Sequence, residues 1–489
     1  MYQGRLTFAK GTYVEFVVAP HQMVDFGDIL VVEGEQKDRF YIRVYDFKVK
    51  SRWSGLNGVN YLMSKLDESG QVVNQDELDF YLGGNHTVKL AMAEQLCYAD
   101  PARQLYNPKT CPDFFAEVRS LGEEDKELLA EIGGDLEIGY LKGGRGISPF
   151  PVGICGSKSI PEHMGIFGTT GSGKSNLVKV LASSILASQQ YGMLIFDVHN
   201  EYYQALSKHS QITDRLVVYS LKPQDAFCQP LQVAMEEWEP LDLALCATFT
   251  EVQLDALYKI ASLWPREWMS YLLKYEAEDL ISELKTETGQ KFQLRTISKI
   301  KSICWNLQQE LQLTQEPVGA IAQMIQEVGN GKVVLVEMKH NSPLGEIALS
   351  TLITKKLLNY YAAHSDDERM GLTPALLVLE EAHRFLGRKE VGSQHIFRRL
   401  VSEARKFRLG LCVVDQQPRL LADQVLSQLN TLFILALSSR ADRQKLETMC
   451  RKDILQQRNE IKNLECGEVI LATNYMRFAA PVKVHNFER

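Results

Sequence analysis

Short apolar runs separated by turn residues divide the first hundred residues of the chain. They predict strands at Arg5–Phe8, Tyr13–Ala19, Ile29–Val32 and Phe40–Val49, with a return strand at Thr87–Met92. Runs that are short, β-branched and partly alternating are typical of a small barrel. The polar, glycine-rich residues 51–85 are predicted to leave the barrel as an excursion.

Aromatic residues recur along these predicted strands, and they have two interpretations. A small barrel can bind oligonucleotides through such rings. Alternation along the strands also accounts for them as the barrel's own core, and we favour that simpler interpretation. The residues concerned are Phe8, Tyr13, Phe16, Phe40, Tyr41, Tyr45 and Phe47.

A mixed connection follows up to Pro151. Ser120 and Glu123 have the spacing of a capping box, which predicts a short acidic helix running to about Ile132. A strand is predicted at Asp135–Leu141, and the glycine-rich stretch after it is predicted to be a loop.

Beyond residue 163 the pattern becomes one of buried strands alternating with helices, which is typical of an α/β fold with a parallel sheet. Residues 235–326 interrupt it with helical spacing throughout and are predicted to form a helical insertion, with Trp268–Leu284 as one of its helices. The predicted strands are Met164–Phe167, Met193–Asp197, Gly331–Met338, Ala375–Glu381, Gly410–Asp415 and Thr431–Leu437.

Composition limits the possible classes of protein. The net charge of -7 over 489 residues excludes a global electrostatic footprint for nucleic acid, so such contacts would need a local basic surface. The nine cysteines form no C-x-x-C pair, which argues against a zinc site and a disulfide framework. Without a signal-peptide core or an apolar run long enough to span a membrane, we expect a cytoplasmic protein with no membrane partner.

The most specific motif is the stretch GTTGSGKS, Gly168–Ser175. It matches the phosphate-binding loop at every fixed position and lies between a predicted strand and a predicted helix, Asn176–Ala187. Its glycines let backbone N–H groups face phosphate oxygens, Lys174 reaches the β- and γ-phosphates, and Ser175 binds Mg²⁺. The candidate nucleotide-binding residues are Gly168, Thr169, Thr170, Gly171, Ser172, Gly173, Lys174, Ser175 and Asn176.

Carboxylates end two of the predicted strands, as ATP hydrolysis with Mg²⁺ requires beside a phosphate loop. Asp197 ends one strand, and we prefer a site role for it over simple capping of the loop. Glu380 and Glu381 end another, with Glu380 expected near Mg²⁺ through water and Glu381 expected to polarise the attacking water. Gln416 follows the predicted strand Gly410–Asp415 and is placed to hydrogen-bond the γ-phosphate or the water.

Basic residues follow the second acidic strand. Arg384, Arg388 and Lys389 are candidate DNA contacts, and the predicted helix Ser393–Phe407 carries further arginines, among them Arg405. A solvated helix face is the alternative for each of these residues.

Several of these segments together resemble the HerA family of hexameric DNA-translocating ATPases, within the HerA/FtsK superfamily. The resemblance is carried, in the family's order, by HMGIFGTTGSGKSN (163–176), IFDVHNEY (195–202), LLVLEEAHRFL (376–386), SEARKFRLGLCVVDQQP (402–418) and VLSQLNTLFILAL (425–437). Two departures are Ala404, where the family usually has glycine, and Asp415-Gln416-Gln417-Pro418, where it usually has S-Q-R-P.

The resemblance implies an α/β, RecA-like P-loop ATPase core with a small N-terminal β-barrel and an inserted helical bundle. The implied boundaries are residues 1–110 for the barrel, 111–234 and 327–489 for the core, and 235–326 for the insertion. It also implies ATP and Mg²⁺ as cofactors and a homohexameric ring with ATP sites between subunits. Lys174, Asp197 and Glu381 would serve hydrolysis, Gln416 would sense the γ-phosphate, and Arg405 would act as the arginine finger of the neighbouring subunit.

Two functional hypotheses stay open from the sequence. The first is a double-stranded DNA translocase or helicase that works with a separate nuclease or effector, in DNA end processing or antiviral defence, since the chain has no nuclease motif of its own. The second is an ATP-gated scaffold ring that assembles and regulates an effector enzyme without processive translocation.

Overall fold

The computed structural model describes residues 1–19, 22–51, 87–144, 146–208, 213–223, 225–316, 319–338, 341–363, 371–387, 396–450, 454 and 458–487. All but the first residue of the predicted excursion at 51–85 lies outside these ranges, as do Arg388 and Lys389.

The chain begins with a closed barrel of six strands. Its elements and one added edge strand are β1 (Tyr2–Lys10), β2 (Tyr13–Val18), β3 (Ile29–Glu33), β4 (Arg39–Ser51), β5 (Thr87–Ala99), β6 (Leu105–Tyr106) and β7 (Glu117–Ser120). The order around the barrel is β2-β1-β7-β3-β4-β5, and β5 pairs with β2 to close it, while β6 pairs only with β5. The barrel therefore runs past the expected boundary at residue 110, because β7 fills the gap between β1 and β3.

The barrel's aromatic residues divide between three environments. Phe16 and Phe40 are fully buried in the barrel's own core. Tyr41 is also fully buried, but outside that core: it packs in the cluster that contains Leu128, and its hydroxyl donates to Glu127. Phe8 is 44% exposed, and its ring meets that of Tyr13 edge-on. The interpretation of these rings as barrel core is thus right for Phe16 and Phe40 and wrong for Tyr41 and Phe8.

The connection to the core contains α1 (Lys126–Ile132), β8 (Leu136–Lys142), β9 (Ile147–Ile154) and α2 (Gly156–Ser159). The expected capping box is wrong, since Ser120 ends β7 and its backbone N–H donates to Met1. Asp125 precedes the helix instead, and its carboxylate accepts hydrogen bonds from Gly122 N–H and from Arg119. A local motif was outweighed by strand pairing with β1 and β3.

The core follows in three parts. The first part contains β10 (Met164–Phe167), α3 (Lys174–Ser188), β11 (Gly192–Asp197), α4 (Glu201–Leu206), β12 (Leu216–Ser220) and β13 (Cys228–Pro230). The insertion contains α5 (Pro240–Cys246), α6 (Glu251–Leu263), α7 (Trp268–Lys274), α8 (Ala277–Thr288), α9 (Leu294–Leu311) and α10 (Ala320–Gly329). The last part contains β14 (Val333–Glu337), α11 (Pro343–Ala363), β15 (Ala375–Glu380), α12 (His383–Leu386), α13 (Ile396–Glu403), β16 (Leu409–Asp415), α14 (Asp423–Leu426), β17 (Thr431–Ile434), α15 (Arg440–Met449), α16 (Arg458–Asn463), β18 (Glu468–Thr473) and β19 (Ala480–Val484).

One sheet of twelve strands organises the core, in the order β13-β12-β14-β11-β15-β16-β10-β17-β18-β19-β8-β9. The strands from β13 to β17 are parallel, and the remaining four extend the sheet by antiparallel pairs. The carboxyl ends of β10, β15 and β16 share one edge, because Phe167 pairs with Asp415 and Glu380 pairs with Val414. β16 thus separates the strand before the phosphate loop from the acidic strand.

The helical insertion is packed onto one face of this sheet in a continuous apolar core. Trp268 is fully buried, and its indole N–H donates to the carbonyl of Trp238 at 2.9 Å. A buried ion pair of 2.7 Å between Lys355 of α11 and Asp242 of α5 joins the insertion to the core. The single helix expected at Trp268–Leu284 is wrong, because the extended backbone of Tyr275 divides it into α7 and α8.

The expected α/β class, with a small N-terminal barrel, is confirmed. The C-terminal segment adds β19 to the chain's own sheet, and Phe487 N–H donates to Asn176 at the start of α3. Among the described helices, none has the length and apolar character that crossing a membrane requires.

Candidate nucleotide-binding site

The phosphate loop joins the end of β10 to the start of α3 and is held against the neighbouring strands. Gly168 N–H donates to the Asp415 carbonyl at 3.3 Å, and Thr169 N–H donates to the Ala436 carbonyl at 2.9 Å. Gly173 has φ +107, a conformation that side chains rarely adopt, and a Cβ there would also crowd Gly467. The loop therefore turns directly into α3, whose first N–H groups have no acceptor within the helix and face the site.

The Lys174 ammonium lies folded over this loop. Its Nζ donates to the carbonyls of Gly168 at 2.9 Å and Thr169 at 3.1 Å. Burial lowers the pKa of Lys174, while the nearby carboxylates of Glu381 and Glu380 oppose that effect. A partly desolvated cation beside unsatisfied N–H groups is suited to an anionic ligand such as a polyphosphate.

Glu380 ends β15 at the shared edge of the sheet. Its carboxylate accepts a hydrogen bond from the hydroxyl of Tyr202, which is fully buried in α4. Burial raises the pKa of Glu380 to about 7, and the Asp197 and Glu201 charges add to this effect. A carboxylate with such an elevated pKa has much to gain from a nearby cation.

Glu381 and Gln416 meet across the gap between β15 and β16. Gln416 Nε2 donates to Glu381 Oε1 at 3.1 Å, and Gln416 Oε1 accepts from the hydroxyl of Thr170 at 2.7 Å. These two bonds join the phosphate loop to the second carboxylate of the acidic strand. Glu381 has φ +47, an uncommon conformation outside glycine that often marks a functional position.

Asp197 occupies a different environment from the other predicted acids. It is fully buried, and its carboxylate accepts the backbone N–H groups of Glu201, Tyr202 and Tyr203 at 3.0 to 3.1 Å. Burial raises its pKa, while these bonds lower it. The structure does not bring Asp197 to the cavity beside the phosphate loop. Its contacts are those of a residue that holds the start of α4.

The residues after Lys174 line the same cavity, and one of them has additional contacts. The Asn176 amide donates to the His485 carbonyl at 2.8 Å and accepts from Phe487 N–H at 3.0 Å. It therefore anchors the C-terminal segment to α3. Ser175 lies beside it in the cavity wall.

A cavity of about 420 Å³ brings together the phosphate loop, Glu380, Glu381 and Gln416. His199 and Glu201 also line it, and sequence reasoning assigned neither of them. Both belong to the segment IFDVHNEY, so their position directly after a buried strand was the available signal. No three His, Cys, Asp or Glu residues within the described ranges form a ready metal site. Magnesium would thus depend on hydroxyl, phosphate and water oxygens, as it commonly does.

Those predicted basic residues that the structure describes do not line this cavity. Arg405 follows α13 in a short 3₁₀ turn, its side chain is 58% exposed, and its guanidinium pairs with Glu162. Arg384 pairs with Glu346 of α11 at 2.7 Å. The structure therefore does not place Arg405 beside the phosphate loop of its own chain.

A larger cavity of about 690 Å³ lies where the barrel meets the core. Arg43 donates two hydrogen bonds of 2.6 Å to Glu460 there, and Lys142 and Glu468 also line it. The cationic groups of this larger cavity are paired with carboxylates of the same chain. Of these two cavities, the smaller one is therefore better suited to bind phosphate.

Among solved structures, the chain is similar to the plasmid coupling protein TrwB in complex with ADP and Mg²⁺. The TM-score is 0.48 at 14% identity, over 68% of this chain and 87% of that one. It is also similar to VirB4 of Thermoanaerobacter pseudethanolicus, with a TM-score of 0.47 at 13% identity, over 72% of this chain and 97% of that one.

Sequence comparison gives a direct assignment. A family profile described as "Helicase HerA, central domain" matches residues 136–357. The "DNA double-strand break repair helicase HerA" of Sulfurisphaera tokodaii is 28% identical, over 68% of this chain and 66% of that protein. Its namesake in Pyrococcus furiosus is 23% identical, over 98% of this chain and 91% of that protein. Together with the phosphate loop, the family profile and these relatives support a HerA-type ATPase of the HerA/FtsK superfamily.

Proposed function

We propose that the chain binds ATP with Mg²⁺ in the 420 Å³ cavity and hydrolyses it, and that a homohexameric ring uses this hydrolysis to move along double-stranded DNA. The observation that carries the proposal is the convergence of Lys174, Glu380, Glu381 and Gln416 on one cavity beside the phosphate loop. The relatives named as DNA repair helicases support DNA as the track.

Each group in the cavity has a role that its position supports. Lys174 would exchange its two carbonyl acceptors for phosphate oxygens. Ser175 would bind Mg²⁺ directly, and Glu380 would do so partly through water. Mg²⁺ supplies charge neutralisation on the phosphates when bound.

Glu381 would polarise the attacking water. Gln416 already bridges Glu381 and Thr170, so a γ-phosphate arriving between them would compete for its amide. That competition would make Gln416 the sensor of the γ-phosphate. Asp197 would contribute by holding the start of α4, whose first residue, Glu201, faces the cavity.

The proposed ring is supported by the position of Arg405, since the described lining of the cavity contains no arginine. An arginine finger stabilises the charge that develops during phosphoryl transfer. Arg405 lies on the surface with a largely exposed side chain, where it would reach the site of a neighbouring copy. Closing such an assembly into a ring would give every site an arginine from its neighbour, and we propose the hexamer that the family resemblance implies.

The motor would work with a separate nuclease or another effector, in DNA end processing or antiviral defence. The names of the relatives support the first of these settings, since they refer to double-strand break repair. Arg384, Arg388 and Lys389 remain candidate DNA contacts.

The test is ATP hydrolysis by the purified protein with and without duplex DNA. We expect duplex DNA to stimulate turnover, and Lys174→Ala and Glu381→Gln to reduce it by at least about 100-fold. Glu381→Gln should still bind ATP, because the phosphate loop is untouched. Arg295→Ala is a surface control, since Arg295 is exposed on α9 of the insertion and does not line the cavity. Full turnover without DNA, unchanged by DNA, would refute the motor.

A second function, the ATP-gated scaffold ring, is favoured by one observation. Arg384, the one predicted DNA contact within the described residues, is paired with Glu346 rather than presented alone. The scaffold predicts a stable complex with an effector whose activity survives in Glu381→Gln, whereas the motor predicts that DNA processing by the complex stops with hydrolysis.

A further inference from the structure

Glu381 is restrained from two sides. Gln416 donates to its Oε1, and the imidazole of His383 lies on its other side, with Nε2 at 3.9 Å from Oε2. The peptide between them turns sharply, because Glu381 has a positive φ and α12 begins at His383. The imidazole is thus carried on a short rigid segment directly beyond the carboxylate.

The imidazole is itself held by a buried acid. Asp415, at the end of β16, is 1% exposed. Its Oδ2 accepts the backbone N–H of His383 at 2.7 Å and lies 2.9 Å from His383 Nδ1. Its Oδ1 accepts Gln417 N–H at 2.9 Å. Because a carboxylate is an acceptor, Nδ1 carries the hydrogen of this contact, which fixes the ring and leaves Nε2 facing Glu381.

We infer that His383 and Asp415 are positioning residues for Glu381. Asp415 fixes His383, and the His383 ring lies beside Oε2 of Glu381 while Gln416 holds Oε1, so the ring limits the movement of the carboxylate. The inference rests on the proposed function, since it adds the support of the carboxylate that polarises water. It also accounts for the carboxylate of Asp415, which does not line the cavity beside the phosphate loop.

The contacts support positioning rather than general stability. If Asp415 served only to accept backbone N–H groups, its bonds to His383 N–H and Gln417 N–H would be sufficient. The additional bond to the ring fixes the orientation of the imidazole, which the backbone contacts alone would not do. His383 is one-third exposed, so removing its ring opens no large cavity in the core. A catalytic group displaced by about 1 Å can lose roughly 100-fold in rate, which sets the scale of the effect.

The test measures kcat and ATP affinity separately for His383→Ala, Asp415→Asn and the double variant. We expect His383→Ala to lower kcat roughly 10-fold to 100-fold with the dissociation constant for ATP unchanged. Asp415→Asn should lower kcat less. The double variant should match His383→Ala alone, because Asp415 acts through the ring. Tyr258→Ala, which removes a ring that is 45% exposed on α6 of the insertion, is the control and should keep the wild-type kcat.

Other outcomes separate the inference from the proposed function. If Glu381→Gln abolishes hydrolysis while His383→Ala keeps the wild-type kcat, the inference is wrong and the proposed function stands. Losses that multiply in the double variant, or that come with an equal loss of ATP affinity, indicate a structural role and also overturn the inference. If Glu381→Gln hydrolyses ATP at the wild-type rate, the proposed role of Glu381 fails, and the inference fails with it.

Discussion

The cavity beside the phosphate loop and the surface segment that carries Arg405 are built by neighbouring parts of one sheet, and they differ in completeness. In the cavity, Gln416 joins Glu381 to Thr170 of the phosphate loop, and Lys174 lines the same wall, all within one chain. Arg405 pairs with Glu162 at the surface and lines no described wall of that cavity. The strand order alone brings the cavity residues together. Arg405, in contrast, would reach bound ATP only across a subunit boundary.

The largest expected effect tests that boundary directly. Arg405→Ala should reduce hydrolysis about 1000-fold while ATP binding is retained, because a finger acts on transition-state charge. Mixing Arg405→Ala with Glu381→Gln should restore part of the activity, since some interfaces then pair an intact arginine with an intact glutamate. Hydrolysis is measured after the two variants are mixed and reassembled. If the mixture stays as inactive as its components, Arg405 does not serve a neighbouring site.

His163 joins the two regions, and it predicts a pH dependence. Its ring lies 3.0 Å from the Val401 carbonyl, just before Arg405, and accepts Leu411 N–H at 3.0 Å. Burial lowers the pKa of His163 to about 4, below the value near 6.5 expected in the unfolded chain. The unfolded state therefore binds more protons between pH 6.5 and 4. The contribution of neutral His163 to the free energy of unfolding is fully present above pH 6.5. It falls by about 3 kcal/mol as the pH drops to 4.

Thermal midpoints measured from pH 7 to 4 check this, with His163→Gln as the comparison. The variant should be less stable at pH 7 and should lose less on acidification than the wild-type chain. Parallel curves would show that protonation of His163 contributes nothing to the acid sensitivity.

A smaller effect is expected for Asp197, and it sharpens the description of the cavity. Asp197→Ala leaves three backbone N–H groups of α4 without their acceptor, which should cost about 1–3 kcal/mol of stability. Asp197→Asn keeps one acceptor oxygen and should cost less. The thermal midpoint and the ATP affinity are measured together. A full loss of hydrolysis in Asp197→Asn with an unchanged midpoint would favour a direct catalytic role.

The smallest effect is expected for Glu162→Gln. The Glu162–Arg405 pair is largely exposed at the arginine, so its loss should change stability by at most about 1 kcal/mol. If the ion pair holds Arg405 only while the arginine is not engaged with a neighbouring subunit, hydrolysis should stay close to that of the wild type. A loss as large as that of Arg405→Ala would mean that Glu162 orients the finger.

The local patterns predicted much of the cavity, because its parts follow buried strands directly. The phosphate loop, Glu380, Glu381 and Gln416 each come after an apolar run whose end lies at the same sheet edge. For parallel strands, that is enough to bring them together without knowledge of distant contacts.

The misplaced expectations have causes both distant and local in the sequence. The spacing of Ser120 and Glu123 fits a capping box, but Ser120 pairs with Leu30 of β3 and so belongs to a strand. Asp197 also follows a buried strand, yet the turn at Asn200 brings the N–H groups of α4 onto it. Similarly, Asp415 was visible as a departure from the family pattern, but its partner His383 lies 32 residues earlier in the chain.

The pairing of β8 with β19 has a consequence for how the protein is made. Leu141 of β8 faces Val482 of β19, so the sheet that frames the phosphate loop is interrupted until both have left the ribosome. At typical rates of translation, the intervening chain takes on the order of half a minute to synthesise. During that time β8 has β9 as its partner from this sheet. The other edge of β8, which later pairs with β19, is open to other nascent chains and to chaperones.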